Sequence, residues 1–458
     1  MSAPKRLQDG IPAGAVLSRE DAQAIAERVM RFSTADGIDI QLGSNHTTNV
    51  RFADNQMSTA GAITDGNLAV QSWFGPKHAV VTTNDFSEAS LKRCVEQSEV
   101  LARLAPDDPE AMPLMEPQQY APVEAYFEST AATDAAQRAR AALTALEPSR
   151  RAGDLKAAGY LVVGAGANIL ANSNGMFAYH RSTNTNYTLT VRTADGTGSG
   201  WAAADHPDWQ QVDFARISAR AIEKARASRE PRAIEPGRYT VILEPQAAGD
   251  LVQLIAGYAD ARLADEGRSP FSKQGGGNKL GEQIVDERVT LFSDPADAQL
   301  RGQPFDGEGM RLARQVWVEN GKLNTLQTSR FWAKKQNIVA TGGATSLKMQ
   351  GGTSSIDEMI RSTERGILVT RLWYLREVDP RTILYTGLTR DGTFLIEQGR
   401  ISRSIRNLRF NESPLFLLNN LEMLGVSERI AGTEAGGSVV MPALKVRDFN
   451  FTSLSEAV

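Results

Sequence analysis

Apolar residues first recur at helical spacing, at Ala22, Ile25, Ala26 and Val29, behind Ser18, which can cap a helix, and Asp21 three residues on. The period then changes. "DIQLGSNHTTNVRFADN", "LAVQSWFG" and "HAVVTTN" read as strands, with "FGPKH" as a hairpin turn between the last two. Helical spacing returns over about 86–105, where Leu91, Cys94, Val95, Ser98, Leu101 and Ala102 form an inner stripe, Asp85 is the expected cap and Glu88 holds the capping-box position. Pro106, Pro109, Pro113, Pro117 and Pro122 exclude helix and central strand over 106–122 and predict a linker or a long surface crossing. The pattern then recurs: a helix over about 131–147, strand-like runs "GYLVVGAGANILANSNG", "FAYHRS" and "NYTLTVRT", and a helix over about 208–228. Helix, strands, helix twice over points to an internal duplication, although no repeat is visible in the residues themselves.

The character changes near Pro231–Pro236. "GRYTVILEP" reads as a buried strand, followed by a helix-like stretch, "LVQLIAGYADARLADEGRSPFS", over 251–272. Then come "ERVTLFSD", "RQVWVENGKLNTLQTS" with a turn at Asn320-Gly321, "GILVTRLWYLREVD", "TILYTGLTRDGTFLIEQGRI" with the strongest turn signal at Asp391-Gly392, a short helix over about 414–424 capped by Ser413, and "VVMPALKVRDFNF". The expected class is α+β. A layered N-terminal α/β domain with a mixed sheet spans 1–230, and a β-rich C-terminal domain with few helices spans 231–458.

Composition narrows the function. A net charge of −4 gives no footprint for nucleic acid or an anionic membrane surface. No run reaches the roughly 18 apolar residues of a membrane helix, and the first residues show no signal-peptide core. With a single cysteine, Cys94, no internal disulfide is available, and the expected location is the cytoplasm. The four histidines are His46, His78, His180 and His206. Beyond residue 206 there is neither His nor Cys, so a zinc site there would need carboxylates alone. A Ser–His or Cys–His pair within that half is excluded.

The remaining motifs are weak. "GAGANI" at 164–169 lacks the third glycine and the receiving helix of a dinucleotide site. "KQGGGNKLG" at 273–281 lacks the Lys-Ser/Thr of a phosphate loop, but Gly275, Gly276 and Gly277 let backbone groups reach a ligand. "TRLWYLR" at 370–376 predicts a strand with Arg371, Trp373 and Leu375 on one side and Leu372, Tyr374 and Arg376 on the other, a composition suited to an interface or a peptide groove.

Several segments taken together resemble the TldD/PmbA family: "VRFADNQMSTAGAITDGNLAVQSWFG", "VTTNDFSEASL", "SPFSKQGGGNKLGEQIVDERVTLFSDP", "VWVENGKLNTLQTSRFWA", "TERGILVTRLWY" and "PALKVRDFNF". The resemblance covers nearly the whole chain, and the order of these segments is more specific than any one of them. It implies one of two branches. TldD-like members are zinc metallopeptidases with a His-Glu-x-x-x-His motif on the helix before the Ser-Phe-Ser segment and a cysteine near the C-terminus. PmbA/TldE-like members lack these ligands and pair with a TldD-like subunit to trim unfolded or precursor peptides; an older family label is modulator of DNA gyrase. Counting back from Ser272 places the two histidines near Val252 and Gly257 and the glutamate near Gln253, and "GVSERIAGTEAGGSVVMPALKV" holds no cysteine.

The resemblance therefore implies the branch without ligands. It implies no catalytic or metal residue and no cofactor in this chain, with zinc expected only in a TldD-like partner. Peptide or partner contacts are expected at Arg371, Trp373, Tyr374 and Gly275–Gly277, and Asp260, Arg262 and Asp265 are expected to face solvent or a partner. Extended or unfolded peptide would be the substrate of the complex. The alternatives are a stand-alone regulatory or binding protein, for instance a homodimer, and a cation site built from Glu282, Asp286 and Glu287.

Overall fold

The computed structural model describes residues 16–432, 434 and 437–455, and the backbone of the two-residue ladder β1 (Arg6–Leu7) and β2 (Ile11–Pro12). Helix α1 (Arg19–Phe32) starts at Ser18, whose side chain accepts from the Asp21 N–H. It leads into β3 (Gly37–Ala53), β4 (Gln56–Phe74), β5 (Lys77–Thr83) and α2 (Glu88–Leu104). Ser87 caps α2; Asp85, the expected cap, instead accepts from the Ser87 N–H and the Ser90 hydroxyl. After the Pro-rich segment and one turn of helix, α3 (Glu128–Ala131), the order repeats: α4 (Ala135–Ala152), β6 (Leu155–Asn172), β7 (Phe177–Thr193), β8 (Ser199–His206) and α5 (Phe214–Ala227). Capped by Asp134 in a capping box, α4 runs through Pro148 to a left-handed Gly153, past the end expected near residue 147.

One six-stranded sheet holds both halves in the order β5-β4-β3-β6-β7-β8, wholly antiparallel. Parallel pairing is confined to the C-terminal sheet, so the mixture expected for the N-terminal domain falls there; tight hairpins join the N-terminal strands within each half and force antiparallel pairing. The halves meet where β3 pairs with β6, from Asp39 opposite Asn172 to Phe52 opposite Gly159. The even-numbered Ile38, Ile40, Leu42, Val50 and Phe52 of β3 and the odd-numbered Leu161, Val163, Ala167 and Ile169 of β6 share one face. Helices α1 and α2 cover one end of that face and α4 and α5 the other, so the predicted duplication appears as a pseudo-two-fold arrangement. At Gly200 an added Cβ would sit 2.3 Å from the backbone of Ala221 and Ala225, so the absence of a side chain lets α5 lie directly on β8.

The second sheet contains thirteen strands. These are β9 (Gly237–Leu243), β10 (Leu291–Ser293), β11 (Gln315–Glu319), β12 (Lys322–Leu323), β13 (Leu347–Met349), β14 (Arg365–Val369), β15 (Leu372–Asp379), β16 (Leu384–Thr389), β17 (Thr393–Glu397), β18 (Arg400–Ser404), β19 (Leu408–Glu412), β20 (Leu421–Arg429) and β21 (Val440–Leu454). The long β21 is its hub, pairing with β9, β13, β19 and β20. Helices α6 (Pro245–Val252), α7 (Leu254–Tyr258), α8 (Ala261–Asp265), α9 (Arg330–Gln336), α10 (Ile356–Arg361) and α11 (Pro414–Asn419) are short. Asn320 and Gly321 both have positive φ and close the hairpin β11–β12, as their sequence predicts. Asp391 and Gly392 also have positive φ, yet close no hairpin: β16 pairs with β15 and β19, and β17 with β14 and β18. There the Asp391 carboxylate is buried and bound to Arg371 and Ser199, which fixes the corner between two parts of the sheet.

The Pro-rich segment is a structural tie between the domains. Glu110 takes both terminal nitrogens of Arg262, at 2.9 and 2.8 Å, and the Tyr120 hydroxyl donates to the Gly309 carbonyl at 2.7 Å. Met115 and Tyr120 pack on Met176, Ala178 and Phe305. Among the described residues no helix is long and apolar enough to cross a membrane.

Candidate functional site

The stretch over 251–272 is not one helix. It begins at Pro245, with proline at the first position, and breaks into α6, α7 and α8. Gln253 ends α6, Ala259 leaves helical geometry, and Asp260 restarts the chain by accepting from the Leu263 N–H. Its charges are occupied within the chain: Asp260 caps α8, Arg262 pairs with Glu110 and Glu266, and Asp265 accepts from Asn278 and the Trp332 indole. The expectation that they face solvent or a partner gives way to these internal partners.

Buried on its α6 side by Val252, Leu254 and Ile255, this segment forms the floor of a cleft of about 690 Å³. Gln253, Gly257 and Tyr258 line it from below, Gly343–Leu347 from one side, and Tyr385, Gly437 and Ser438 from the other. At one end the Tyr258 hydroxyl contacts Glu377 and lies 3.1 Å from the Tyr385 hydroxyl; burial and the Glu377 carboxylate hold its phenol far above the usual range. At the other end Ser346, Gly437 and Ser438 are shared with a polar bay of about 390 Å³. That bay reaches the N-terminal domain at Ser182, Asn184, Asn186 and Asp205, where Asp205 receives Asn184 at 2.8 Å and Arg429 at 2.6 Å. The two spaces adjoin at Ser346, Gly437 and Ser438, near the junction of the domains.

Asp250 is 1% exposed. One carboxylate oxygen accepts from the Glu434 N–H at 2.9 Å, and the other has no side-chain hydrogen-bond partner among the described residues. Burial pushes the carboxyl up to about 8, against the pull of the Glu434 N–H and Arg371. Asp250 stands just outside the stretch that the sequence pattern marked, and in sequence nothing separates it from a helix-surface aspartate. Tyr258 and Tyr385 carry no motif either; topology alone brings their hydroxyls together.

The sequence-marked residues fall in three places. Arg371 points inward, donating to Asp391 at 2.8 Å, with its guanidinium 4.4 Å from the Trp201 ring and 5.0 Å from Trp373. Trp373 is half-buried between Arg371 and Arg390. Tyr374 has φ of 57° and is exposed, and its N–H donates to the Glu434 carboxylate at 3.2 Å. The register shifts between Trp373 and Arg376, so Leu372 and Leu375 are both buried and the predicted alternation breaks. Glu434 thus bridges Tyr374 to Asp250. Gly275, Gly276 and Gly277 have φ of 92°, 114° and 79°, and a Cβ at any of them would meet nothing within 4 Å. They form an open loop outside the cleft lining.

The donor set does not fit a zinc ion. The positions near which the resemblance places metal ligands are Val252, Gln253 and Gly257, and among the described residues no three of His, Cys, Asp and Glu gather closely enough to hold a metal. Of the proposed carboxylates, Asp286 is bound by Arg288 and Glu282 pairs with Lys273. What the cleft offers is hydroxyls, amides, glycine backbone and tyrosines, groups that hold a polar extended chain.

Comparison with known proteins gives matches in the same order along the chain. Residues 38–102 match PmbA/TldA metallopeptidase domain 1, residues 125–229 the central domain and residues 236–453 the C-terminal domain. A protein called metalloprotease PmbA from Escherichia coli O157:H7 is 22% identical over 446 residues, covering 90% of this chain and 92% of that one. A metalloprotease of Methanothermobacter thermautotrophicus is 27% identical over 257 residues, 52% of this chain; the match spans 53% of that relative, about half its length. Among solved structures, TldE from Thermococcus kodakarensis superposes with a TM-score of 0.83 at 18% identity, covering 94% of this chain and 99% of that one. A protein described as a putative modulator of a DNA gyrase from Thermotoga maritima does so with a TM-score of 0.83 at 17% identity, covering 94% and 100%.

Proposed function

The chain belongs to the PmbA/TldA metallopeptidase family, and on that premise we propose that it is a TldE/PmbA-like subunit without chemistry of its own, which holds extended peptide for the zinc centre of a TldD-like partner. One observation carries the reading. The segment that stands where the resemblance places the metal-binding helix is kept as the floor of the cleft, while the residues near the ligand positions are Val252, Gln253 and Gly257. A scaffold retained without donors serves binding and not hydrolysis.

The cleft suits an extended chain. Strand β15 pairs with β16 alone among the described strands, and the Tyr374 N–H is held by the Glu434 carboxylate, so an added peptide would take main-chain hydrogen bonds from the rest of that edge. Such bonds ignore sequence, as a subunit serving unfolded peptides requires. Hydroxyls at Thr345, Ser346 and Ser438 add donors and acceptors along the path.

The experiment is association and peptide capture with purified proteins. This chain and the TldD-like protein of the same organism are mixed and measured by light scattering, then titrated with a fluorescent unfolded peptide. A stable complex that binds the peptide more tightly than the partner alone is expected. Two separate monomers would end the reading.

A further inference from the structure

The outer edge of β4 is half covered. Strand β5 pairs with β4 from Leu68 to Phe74 and goes no further. From Gln56 to Asn67, β4 is bonded to β3 on its inner side and has no strand on its outer side among the described residues. Gln56–Ile63 are exposed on both faces, including Met57 at 40% and Ile63 at 65%.

The pseudo-two-fold partner of this half-strand shows what such an edge requires. It is the first half of β7, Phe177–Asn184, which β8 likewise leaves unpaired. There the chain supplies a cover. The Thr183 N–H donates to the Ala125 carbonyl at 2.9 Å, and the Phe127 N–H donates to the Thr183 hydroxyl at 3.0 Å. Phe305 of the C-terminal domain packs on Met176 and Ala178, while Arg19 lies over Phe177 and Tyr179. One half of the duplication is thus closed by an extended segment and a second domain. The other half has no such cover among the described residues.

The uncovered half starts from a well-formed hairpin, and its protections against pairing are a register shift at Ser58 and the charge of Asp65. Asp54 and Asn55 turn the β3–β4 hairpin with φ of 48° and 63°. Asn55 is clamped to β6 at both ends of its amide, donating to the Leu155 carbonyl and accepting from the Ala157 N–H, each at 2.7 Å. The edge sequence "QMSTAGAITDGN" has one charge, Asp65, and neither lysine nor proline. Exposed edges are ordinarily blunted by charges, prolines or bulges. With one carboxylate, one register shift and neither lysine nor proline, this edge is only lightly blunted and can accept a further strand.

We propose that Gln56–Asn67 is a subunit interface, and that its occupant is the corresponding edge of the TldD-like partner, added antiparallel so that the two N-terminal sheets become continuous. This rests on the subunit reading above. A partner of the same family carries the same first domain and therefore presents the same kind of edge; one two-fold pairing satisfies both. A bound peptide would cover the edge but leave both faces of Gln56–Ile63 bare, whereas a second domain covers the faces as well, as Phe305 does in the other half.

The test uses the full-length chain and its full-length TldD-like partner. Ala60→Lys and Ile63→Lys place charges on exposed positions, and an unchanged thermal melt of each variant alone verifies the fold. The expected result is a dissociation constant raised at least tenfold, with backbone amides of 56–67 protected from hydrogen exchange in the wild-type complex and not in the free chain. A complex that forms with unchanged affinity in both variants, without that protection, overturns the interface and leaves the subunit reading standing. Absence of any complex with the wild-type chain overturns the subunit reading itself. If the chain alone self-associates through protected 56–67, the edge pairs with a second copy and the assignment to the partner is overturned.

Discussion

Asp250 accepts a hydrogen bond from the backbone N–H of Glu434 at 2.9 Å, a contact that joins α6 to a residue 184 positions further along the chain. The same Glu434 carboxylate receives the Tyr374 N–H. The backbone at Glu434 is therefore held by a buried carboxyl group and not by side-chain packing alone.

That carboxyl titrates in an unusual direction. Its folded value, pushed up to about 8 by burial, lies above the value of about 3.9 for an unfolded aspartate. The folded state keeps a proton that the unfolded state loses, so the contribution to stability is complete below about pH 4 and is lost as pH rises toward 8. Asp250→Asn, which copies the protonated form, is expected to flatten the decline in melting temperature between about pH 4 and 8. Parallel curves for variant and wild type would contradict the assignment.

His180 has the opposite sign. It is buried, and burial pushes the imidazole down to about 4, below the unfolded value of about 6.5. The unfolded chain takes up the proton first, so stability is full above pH 6.5 and is lost as pH falls toward 4, by about 3 kcal/mol at the end of that window. His180→Gln is expected to remove this part of the acid sensitivity, read by urea unfolding at pH 7 and pH 4.5.

Arg371 and Asp391 form a buried pair at 2.8 Å that also receives the Ser199 hydroxyl from the N-terminal domain. Arg371→Ala leaves Asp391 charged and almost wholly buried; a loss of about 3 kcal/mol is expected, at the low end for a broken buried pair because Arg390 lies 3.9 Å away. Adding Asp391→Asn should recover part of it. A double variant no more stable than the single one would show that the pair is not the source.

Gly200→Ala drives a methyl group into the backbone of α5 at Ala221 and Ala225. The helix must lift from β8, at a cost of about 1–3 kcal/mol. The same change at Gly267, where nothing lies within 4 Å but φ is 78°, separates backbone strain from packing in the same unfolding assay.

The parts of the fold that were legible in sequence are those where one local signal decides the outcome. Ser18 caps α1, Asn320-Gly321 turns a hairpin, and the repeated helix–strands–helix order shows as a pseudo-two-fold sheet. Elsewhere tertiary context overrode local pattern. The first half of β4 is made of small and polar residues, so no hydrophobic alternation announced a strand; pairing with β3 makes it one. Asp391-Gly392 has hairpin chemistry, but a buried ion pair holds it as a corner. The bulge at Tyr374 swaps the faces predicted for "TRLWYLR", turning Leu375 inward beside Leu372. For the site, the sequence marked the stretch 251–272, part of which lines the cleft. It could not show the Asp250–Glu434 contact or the approach of Tyr258 to Tyr385, because each joins distant segments.

The most direct measurement is peptide hydrolysis by the reconstituted pair. An unfolded peptide is incubated with this chain, with the TldD-like partner and with both, in zinc-containing buffer, and cleavage is followed by mass spectrometry. The account predicts cleavage that needs the partner, is enhanced by this chain, and survives Asp250→Asn, Asp260→Asn, Glu282→Gln and Asp286→Asn in this chain while losing all activity when the partner's metal ligands are replaced. Cleavage by this chain alone, abolished by any of those four substitutions, would contradict it.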